Sequence, residues 1–292
     1  MFTKGVEVLA ASGYLDELLS QFPDKTQLEE ALIRFWLSEE GRFTILEILK
    51  DIELYQPIMD VQASFYQQFE REQLMPMYRR VARAIRKADP TGFLFLETCM
   101  ASNMGVRSAI EALTDRQGIP DANQVFAPHG YDLVTDTANL HAASPDRVAL
   151  IFERHLQTAN RLGLPMLVGE WGAYGAQAGT LEPAWQIVDL FEQMQCGETY
   201  WTYFEGIEKT PSFPAVQRPY PMKINGRLTG YHFDPAQGTF SCRWMEYGNS
   251  KHPTYVYLPD WYRGASRTIK LALDTDYKRH PVTRGSHNMV VE

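Results

Sequence analysis

The chain has 292 residues, of which 45% are hydrophobic, enough to bury one sizeable core or a core with a small appended domain. Its 28 basic residues are outnumbered by 36 acidic residues, and the net charge of -8 is spread along the chain. Because phosphate binding needs a cationic surface, this composition excludes nucleic acid as an expected partner. The three cysteines, Cys99, Cys196 and Cys242, are odd in number and far apart, so they indicate neither a disulfide framework nor a metal knuckle.

The first thirty residues lack the pattern of a targeting or membrane segment. They contain no basic stretch followed by an apolar run, so neither a signal peptide nor a transmembrane helix is predicted. The compartment stays unknown on this evidence. We expect a cytoplasmic protein if the chain is complete, whereas a secreted protein is compatible with the sequence if the chain is a fragment.

The stretch from Val6 to about Lys87 has the pattern of helices. Apolar residues recur three and four positions apart, as in Leu28, Leu32, Phe35 and Trp36 and again in Met77, Val81, Ala84 and Ile85. No convincing strand interrupts this pattern. We therefore predict a helical segment over residues 1–88 that belongs to the following domain or covers it.

Strands and helices alternate after the turn Asp89-Pro90-Thr91-Gly92. Short apolar or aromatic runs predict four buried strands: Phe93–Leu96, Val125–Ala127, Met166–Val168 and Thr199–Tyr203. Helices are predicted between them: about Val106 to Leu113, from the Ser144-Pro145 cap through His155, and around Trp185 to Met194. This alternation predicts an α/β fold with a parallel sheet over residues 89–214.

The pattern changes again in the last part of the chain. Turn dipeptides such as Asn225-Gly226 and Gln237-Gly238 separate short stretches rich in aromatic and β-branched residues, including Thr239–Trp244 and Thr254–Leu258. We predict a small antiparallel β domain over residues 215–292.

Polar and aromatic side chains stand where the four predicted strands end. They are Glu97, the run His129-Gly130-Tyr131-Asp132, the run Gly169-Glu170-Trp171-Gly172, and Trp201. Because the carboxyl ends of parallel strands meet on one face, we expect these side chains to gather there. A carboxylate can attack an anomeric carbon, a tyrosine can hold that carboxylate, a histidine can bond sugar hydroxyls, and a tryptophan can face a pyranose ring. The set favours sugar chemistry.

These segments also carry a family resemblance. Ala127–Asp132, Leu167–Gly172, the Tyr200-Trp201 pair and Arg218–Pro221 resemble glycoside hydrolase family 5, and within it the endoglycoceramidase branch, from roughly Leu74 to the C-terminus. The resemblance implies a partial TIM (β/α)8 barrel, about strands five to eight, followed by the β-sandwich domain of the family. It also implies a glycolipid or oligosaccharide substrate and no cofactor, since two carboxyl groups carry out all the chemical steps.

The resemblance assigns roles to individual residues. Glu170 would be the nucleophile, Tyr131 would orient it, and His129 and Trp201 would contact the sugar. Glu97 and Trp171 are expected as further substrate-binding residues. The aromatic residues Tyr174, Tyr203 and Phe204 are expected to line an apolar groove for the lipid.

One catalytic group is missing from the pattern. A retaining glycosidase needs two carboxyl groups about 5 to 5.5 Å apart, and in this family the second lies in an Asn-Glu-Pro motif at the end of strand four. The sequence contains no Asn-Glu dipeptide. A sugar-contacting or structural role is favoured over an acid/base role for Glu97, and a loop position for Glu205. His141 is expected in a loop and His155 on a helix surface, and no histidine spacing indicates a metal.

Several interpretations of the whole chain stay open. It is a fragment of a longer protein, the C-terminal member of a split pair that needs an N-terminal barrel half, or a degenerate relative whose helices cover the open sheet. The first functional hypothesis is a retaining hydrolase of the β-glycosidic bond between a sugar and a ceramide-like lipid. The alternatives are a non-catalytic carbohydrate- or glycolipid-binding relative and a β-glucanase of the same family.

Overall fold

The computed structural model describes residues 37–135, 137, 139–247, 253–263, 269–273 and 284–291, together with scattered positions between residues 7 and 35. These residues form two compact units, residues 1–175 with 197–204 and residues 176–196 with 205–292. The domain limits expected from the sequence, after residues 88 and 214, stay predictions. No helix among the described residues is both long enough and apolar enough to cross a bilayer.

The first unit begins with helices, as predicted for its described part. They are α1 (Glu39–Ile48), α2 (Ile52–Phe69), a π-helical turn (Glu70–Leu74) and α3 (Met75–Ala88). Side-chain caps start the first two, since Ser38 accepts from the Gly41 N–H and Asp51 from the Glu53 N–H. The predicted stop after α3 is confirmed, because the Asp89 carboxylate accepts from the Thr91 and Gly92 N–H groups.

The helix predicted over Val106 to Leu113 is wrong, because this segment is an extended loop. The buried carboxylate of Glu70 accepts hydrogen bonds from the Ser108 hydroxyl and the Ala109 N–H. The Leu113 N–H donates to the side chain of Gln124 at 2.7 Å. The Arg107 carbonyl accepts from Gln67 at 3.0 Å and the Ser108 carbonyl from Arg161 at 3.1 Å. Distant side chains thus bind these carbonyls and the Leu113 N–H, which a helix would pair internally.

Five short parallel strands follow in the first unit: β1 (Leu94–Leu96), β2 (Gln124–Phe126), β3 (His129–Gly130), β4 (Leu167–Gly172) and β5 (Gly197–Trp201). β1 pairs with β2, and β4 lies between β3 and β5. A parallel bridge from Phe126 to Met166 connects the two groups. The predicted parallel α/β arrangement is confirmed. Among the described residues, β1 and β5 each have a strand on one side only.

Helix α4 (Pro145–Leu162) connects β3 to β4 and begins as predicted, with the Ser144 hydroxyl accepting from the Arg147 N–H. Its inner face contributes Ala159 to a core with Phe126 and Ile110. Near its start, Arg147 is fully buried and donates to Asp132 Oδ1 and to the Leu49 carbonyl. The start of α4 is therefore tied both to the loop after β3 and to the end of α1.

The second unit contains α5 (Leu181–Met194), α6 (Phe213–Val216), β6 (Tyr220–Lys223), β7 (Gly226–Asp234), β8 (Thr239–Tyr247), β9 (Tyr255–Tyr257), α7 (Asp260–Arg263), β10 (Ile269–Leu273) and β11 (Arg284–Val291). One antiparallel sheet has the order β10-β11-β8-β7, and β6 pairs antiparallel with β9. The hydrophobic core of the second unit centres on Phe233, Phe240, Trp244 and Tyr262. The C-terminal part is therefore antiparallel, as its sequence indicates.

Candidate active site

The polar residues expected at the strand ends gather at one edge of the parallel strands. Glu97 directly follows β1, His129 begins β3, and Glu170 lies in β4 beside it, since these last two residues are register partners. Trp201 ends β5, which pairs with β4. The parallel register therefore carries these side chains to the same end of neighbouring strands.

The Glu170 carboxylate is held on one oxygen. Its Oε2 accepts a 2.9 Å hydrogen bond from the Tyr131 hydroxyl and lies 3.3 Å from Nδ1 of His129. Among the described residues, no group bonds the other oxygen, and the side chain is 30% exposed. The arrangement leaves one carboxylate oxygen able to approach a ligand while the other is fixed.

His129 is the most connected residue of the site. Its Nε2 lies 2.8 Å from Glu97 Oε1, its backbone N–H donates to Asn103 Oδ1 at 3.2 Å, and its carbonyl accepts from His155 Nε2 at 2.9 Å. The structure therefore fixes both its imidazole ring and its peptide groups. Neither Asn103 nor His155 was identified from the sequence as part of the site.

His155 is buried, so its expected position on a helix surface is wrong. Its imidazole lies edge-on to the rings of Phe126 and Phe152, with both centroid distances 6.2 Å. Burial lowers the pKa of His155 from 6.5 to about 4, which keeps the ring neutral at neutral pH. A neutral ring with its N–H on Nε2 is the form that can donate to the His129 carbonyl.

Trp171 does not join the site. It is fully buried, its indole N–H donates to Glu198 Oε2 at 2.6 Å, and its ring packs edge-on against Tyr200 at 5.1 Å. Successive side chains of a strand point to opposite sides, so Glu170 and Trp171 face different surroundings. The expectation that Trp171 contacts substrate is therefore corrected to a packing role.

The strand end after Trp171 requires glycine. Gly172 has φ +96°, and a Cβ built there would lie 2.3 Å from the Tyr200 ring. The backbone of β4 can therefore continue past the Trp171–Tyr200 pair only without a side chain at this position.

The aromatic residues expected around the site differ in exposure. Trp201 is 48% exposed and can present a ring face, and Tyr203 is also exposed. Phe204 is half-buried. Tyr174 is buried, so it is not available to line a lipid groove as expected. Burial also raises its pKa, since a charged phenolate would be desolvated.

Glu205 and His141 were also named in the sequence analysis. Glu205 is exposed and belongs to the second unit. The backbone of His141 lies in a short 3-10 turn, and its side chain is outside the described residues.

One group of metal-ligating side chain types occurs among the described residues. Asp189, Glu192 and His232 of the second unit bring their ligand atoms within 4.8 Å of one another. Glu192 already accepts from His232 Nδ1 at 2.7 Å and from the Phe233 N–H. Glu192 and His232 thus form a contact between α5 and β7.

Asp132 has a structural role that its place in the strand-end motif did not reveal. Its Oδ1 accepts from Arg147 Nε at 2.8 Å, and its Oδ2 accepts from the Ser144 N–H at 2.8 Å. Asp132 is almost completely buried. The pair fixes the chain directly after Tyr131, and through it the hydroxyl that bonds the nucleophile candidate.

Comparison with known families and structures identifies the family of the chain. The model described as Cellulase (glycosyl hydrolase family 5) matches residues 57–205, just over half of the chain. The model of the glycoside hydrolase family 5 C-terminal domain matches residues 218–286. No curated protein sequence matches the chain at a significant level.

Solved structures with a similar fold include endo-glycoceramidase II from Rhodococcus sp. In its ganglioside GM3 complex the TM-score is 0.63 at 17% identity, over 90% of this chain and 67% of that chain. In a complex with a cellobiose-like imidazole it is 0.61 at 18% identity, over 85% and 64%. Sterylglucosidase 1 from Cryptococcus neoformans, with tris, gives 0.52 at 13% identity, over 76% and 44%. The chain thus spans about 64% of the length of the first of these proteins.

Parallel strands that end in a held carboxylate, followed by an antiparallel domain, define the chain as one with a glycoside hydrolase fold. The chain belongs to glycoside hydrolase family 5.

Proposed function

We propose that this chain supplies the nucleophile half of a retaining β-glycosidase that releases a sugar from a ceramide-like lipid. The observation that carries the proposal is the Glu170 carboxylate, partly exposed at the strand ends and held on one oxygen by Tyr131 and His129. This is the geometry that a carboxylate needs to attack a carbon centre from a fixed direction.

The reaction proceeds by two displacements. Glu170 Oε1 forms a bond to the anomeric carbon while the bond from that carbon to the lipid oxygen breaks, and the leaving oxygen takes a proton from a carboxylic acid. A water molecule then attacks the same carbon, the carboxylate of the former acid removes its proton, and Glu170 is released. Trp201 is proposed to face the sugar ring, whereas both ring nitrogens of His129 already lie against Glu97 and Glu170.

The acid/base carboxyl is proposed to lie on a partner segment that carries the first four strand-helix units of the barrel. In this proposal β1 and β2 correspond to strands five and six, with β3 continuing strand six, and β4 and β5 correspond to strands seven and eight. The open outer sides of β1 and β5, and the exposed aromatic rings of Phe93 and Phe95 at β1, support it.

The lipid-linked substrate rests on likeness of fold. Endo-glycoceramidase II has been solved in a complex with ganglioside GM3, and another similar structure is a sterylglucosidase. A β-glucanase activity is the alternative within the family. A non-catalytic carbohydrate- or glycolipid-binding role is favoured by one observation, the absence of an Asn-Glu dipeptide from the sequence.

The decisive experiment uses a substrate that reacts without a general acid. A dinitrophenyl β-cellobioside has a leaving group that departs without protonation, so the first displacement depends on Glu170 alone. We expect the chain to release about one equivalent of dinitrophenolate in a burst, and mass spectrometry to find the sugar on Glu170. Glu170→Gln should remove the burst, whereas Glu205→Gln, the same change at an exposed position, should keep it.

The lipid and the partner segment are tested next. Fluorescent glucosylceramide and a cellobioside are offered to the chain alone and to the chain mixed with a polypeptide that carries the first barrel half. Faster release from the ceramide, and only in the mixture, supports the proposal. Faster release from the cellobioside supports the glucanase, and saturable binding without a burst supports the non-catalytic relative.

A further inference from the structure

The imidazole of His129 lies between two carboxylates. Nε2 is 2.8 Å from Glu97 Oε1, and Nδ1 is 3.3 Å from Glu170 Oε2. The His129 side chain is only 16% exposed, whereas the Glu97 side chain is 54% exposed and the Glu170 side chain 30%. The three side chains form a chain of contacts that ends at the proposed nucleophile.

If the ring hydrogen-bonds both carboxylates, the arrangement requires one proton more than a neutral ring with two ionised carboxylates contains. A neutral imidazole has a single N–H, so only one of its two nitrogens can donate. The other nitrogen would then turn its lone pair toward a carboxylate oxygen, and two acceptors would face each other. The contacts are satisfied only if the ring is an imidazolium, or if Glu97 or Glu170 is protonated.

The surroundings indicate where the extra proton resides. The Tyr131 hydroxyl donates to Glu170 Oε2, and a donor of this kind favours the ionised form of a carboxyl group. His155 is neutral, and it donates to the backbone carbonyl of His129. Among the described residues, Glu97 and Glu170 are the only charged groups in contact with the imidazole. These contacts favour Glu97 and His129 as the pair that shares the proton.

We propose that Glu97 and His129 act as one unit that keeps an N–H on Nδ1 directed at Glu170. Glu97 is then a positioning residue that acts through His129, rather than a residue that contacts the sugar. The N–H and the Tyr131 hydroxyl together hold Oε2 and leave Oε1 for attack. The catalytic meaning of this unit rests on the proposed function, but its proton can be observed without turnover.

The protonation of His129 is followed by NMR of the chain labelled with ¹⁵N-histidine. The His129→Gln variant identifies which signal belongs to His129. Glutamine at position 97 keeps the size of the side chain but removes its charge. The unit then binds its proton less strongly, so in Glu97→Gln the His129 signal should change to the deprotonated form at a pH lower by about one unit or more. Glu111→Gln makes the same change at another exposed glutamate of the first compact unit of the fold. It should not move the pH at which the His129 signal changes.

The rate of the dinitrophenolate burst provides the second readout. Glu97→Gln should move the alkaline limb of its pH profile to lower pH, whereas a residue that only packs would lower the rate equally at every pH. In the His129→Gln background, the change at position 97 should have no further effect on the profile.

The outcomes separate this inference from the proposed function. If the His129 titration is the same with glutamate and with glutamine at position 97, the shared proton is refuted, whether or not a burst occurs. If the titration moves as expected but no variant gives a burst, the proton unit stands and the proposed nucleophile fails.

Discussion

Replacing His155 by glutamine is expected to remove a pH-dependent contribution to the folding free energy of the first unit. Burial holds the pKa of His155 at about 4 in the folded chain, against 6.5 ordinarily. Between these two values the unfolded chain binds more protons than the folded chain, so stability rises with pH across this window. The contribution is complete above about pH 6.5 and is lost below about pH 4.

The magnitude follows from the size of the pKa difference. A difference of about 2.5 units, at 1.36 kcal/mol per unit, corresponds to roughly 3 kcal/mol of folding free energy. Glutamine can still donate to the His129 carbonyl, but it does not titrate. The folded chain should therefore lose about 3 kcal/mol more than the variant when the pH falls from about 7 to about 4.

The assay is urea unfolding, followed by tryptophan fluorescence at several pH values for both proteins. Groups that titrate equally in the two proteins cancel when their unfolding free energies are subtracted. A second variant, His155→Leu, separates the hydrogen bond from the titration. It should be less stable than the glutamine variant at every pH, because the His129 carbonyl loses its donor. Parallel curves for the native chain and the glutamine variant would refute the reasoning.

Two further substitutions test the groups that hold Glu170 in place. Tyr131→Phe removes the hydroxyl that donates to Glu170 Oε2, and a bond to a charged group contributes about 1.5 to 3 kcal/mol. The burst rate should fall by about 10- to 100-fold with little change in stability, and an unchanged rate would contradict the proposed orientation. Asp132→Asn leaves the buried Arg147 without its charge partner. The free energy of unfolding should fall by roughly 3 to 5 kcal/mol in urea, and a loss under about 1 kcal/mol would show that the pair matters little.

Local patterns in the sequence were sufficient for the strands and for the residues at their ends. An apolar run bounded by turn residues predicts a buried strand, and parallel strands bring their carboxyl ends together. This reasoning places Glu97, His129 and Glu170 at one edge of the sheet, where the structure has them. The Ser144 cap of α4 was also predicted, because serine followed by proline is a local signal.

The failures occurred where a distant side chain decides the local structure. Val106, Ile110 and Leu113 are buried at helical spacing, yet Glu70 and Gln124 bind the backbone between them. Neither partner can be identified from the sequence of the loop itself. A helix over this segment would pair the Leu113 N–H and the Ser108 carbonyl internally, and here Gln124 and Arg161 bind them.

The burial of His155 can be predicted from the sequence. It lies three and four residues after Phe152 and Ile151, two apolar positions of the same helix, so the spacing places it on their buried face. Its polarity suggested the surface instead. Trp171 is a similar case, because it directly follows Glu170 in a strand and must therefore point away from it.

The proposed nucleophile and the residues that contact it all lie within one unit of the chain. Every described contact of the Glu170 carboxylate is made by Tyr131 or His129, and His129 is held in turn by Glu97, Asn103 and His155. Since none of these contacts needs a residue from beyond the described chain, the carboxylate can be oriented before any acid group is present. The two carboxyl functions of a retaining glycosidase are thus separable in space, and the first displacement can be studied apart from proton transfer to the leaving group.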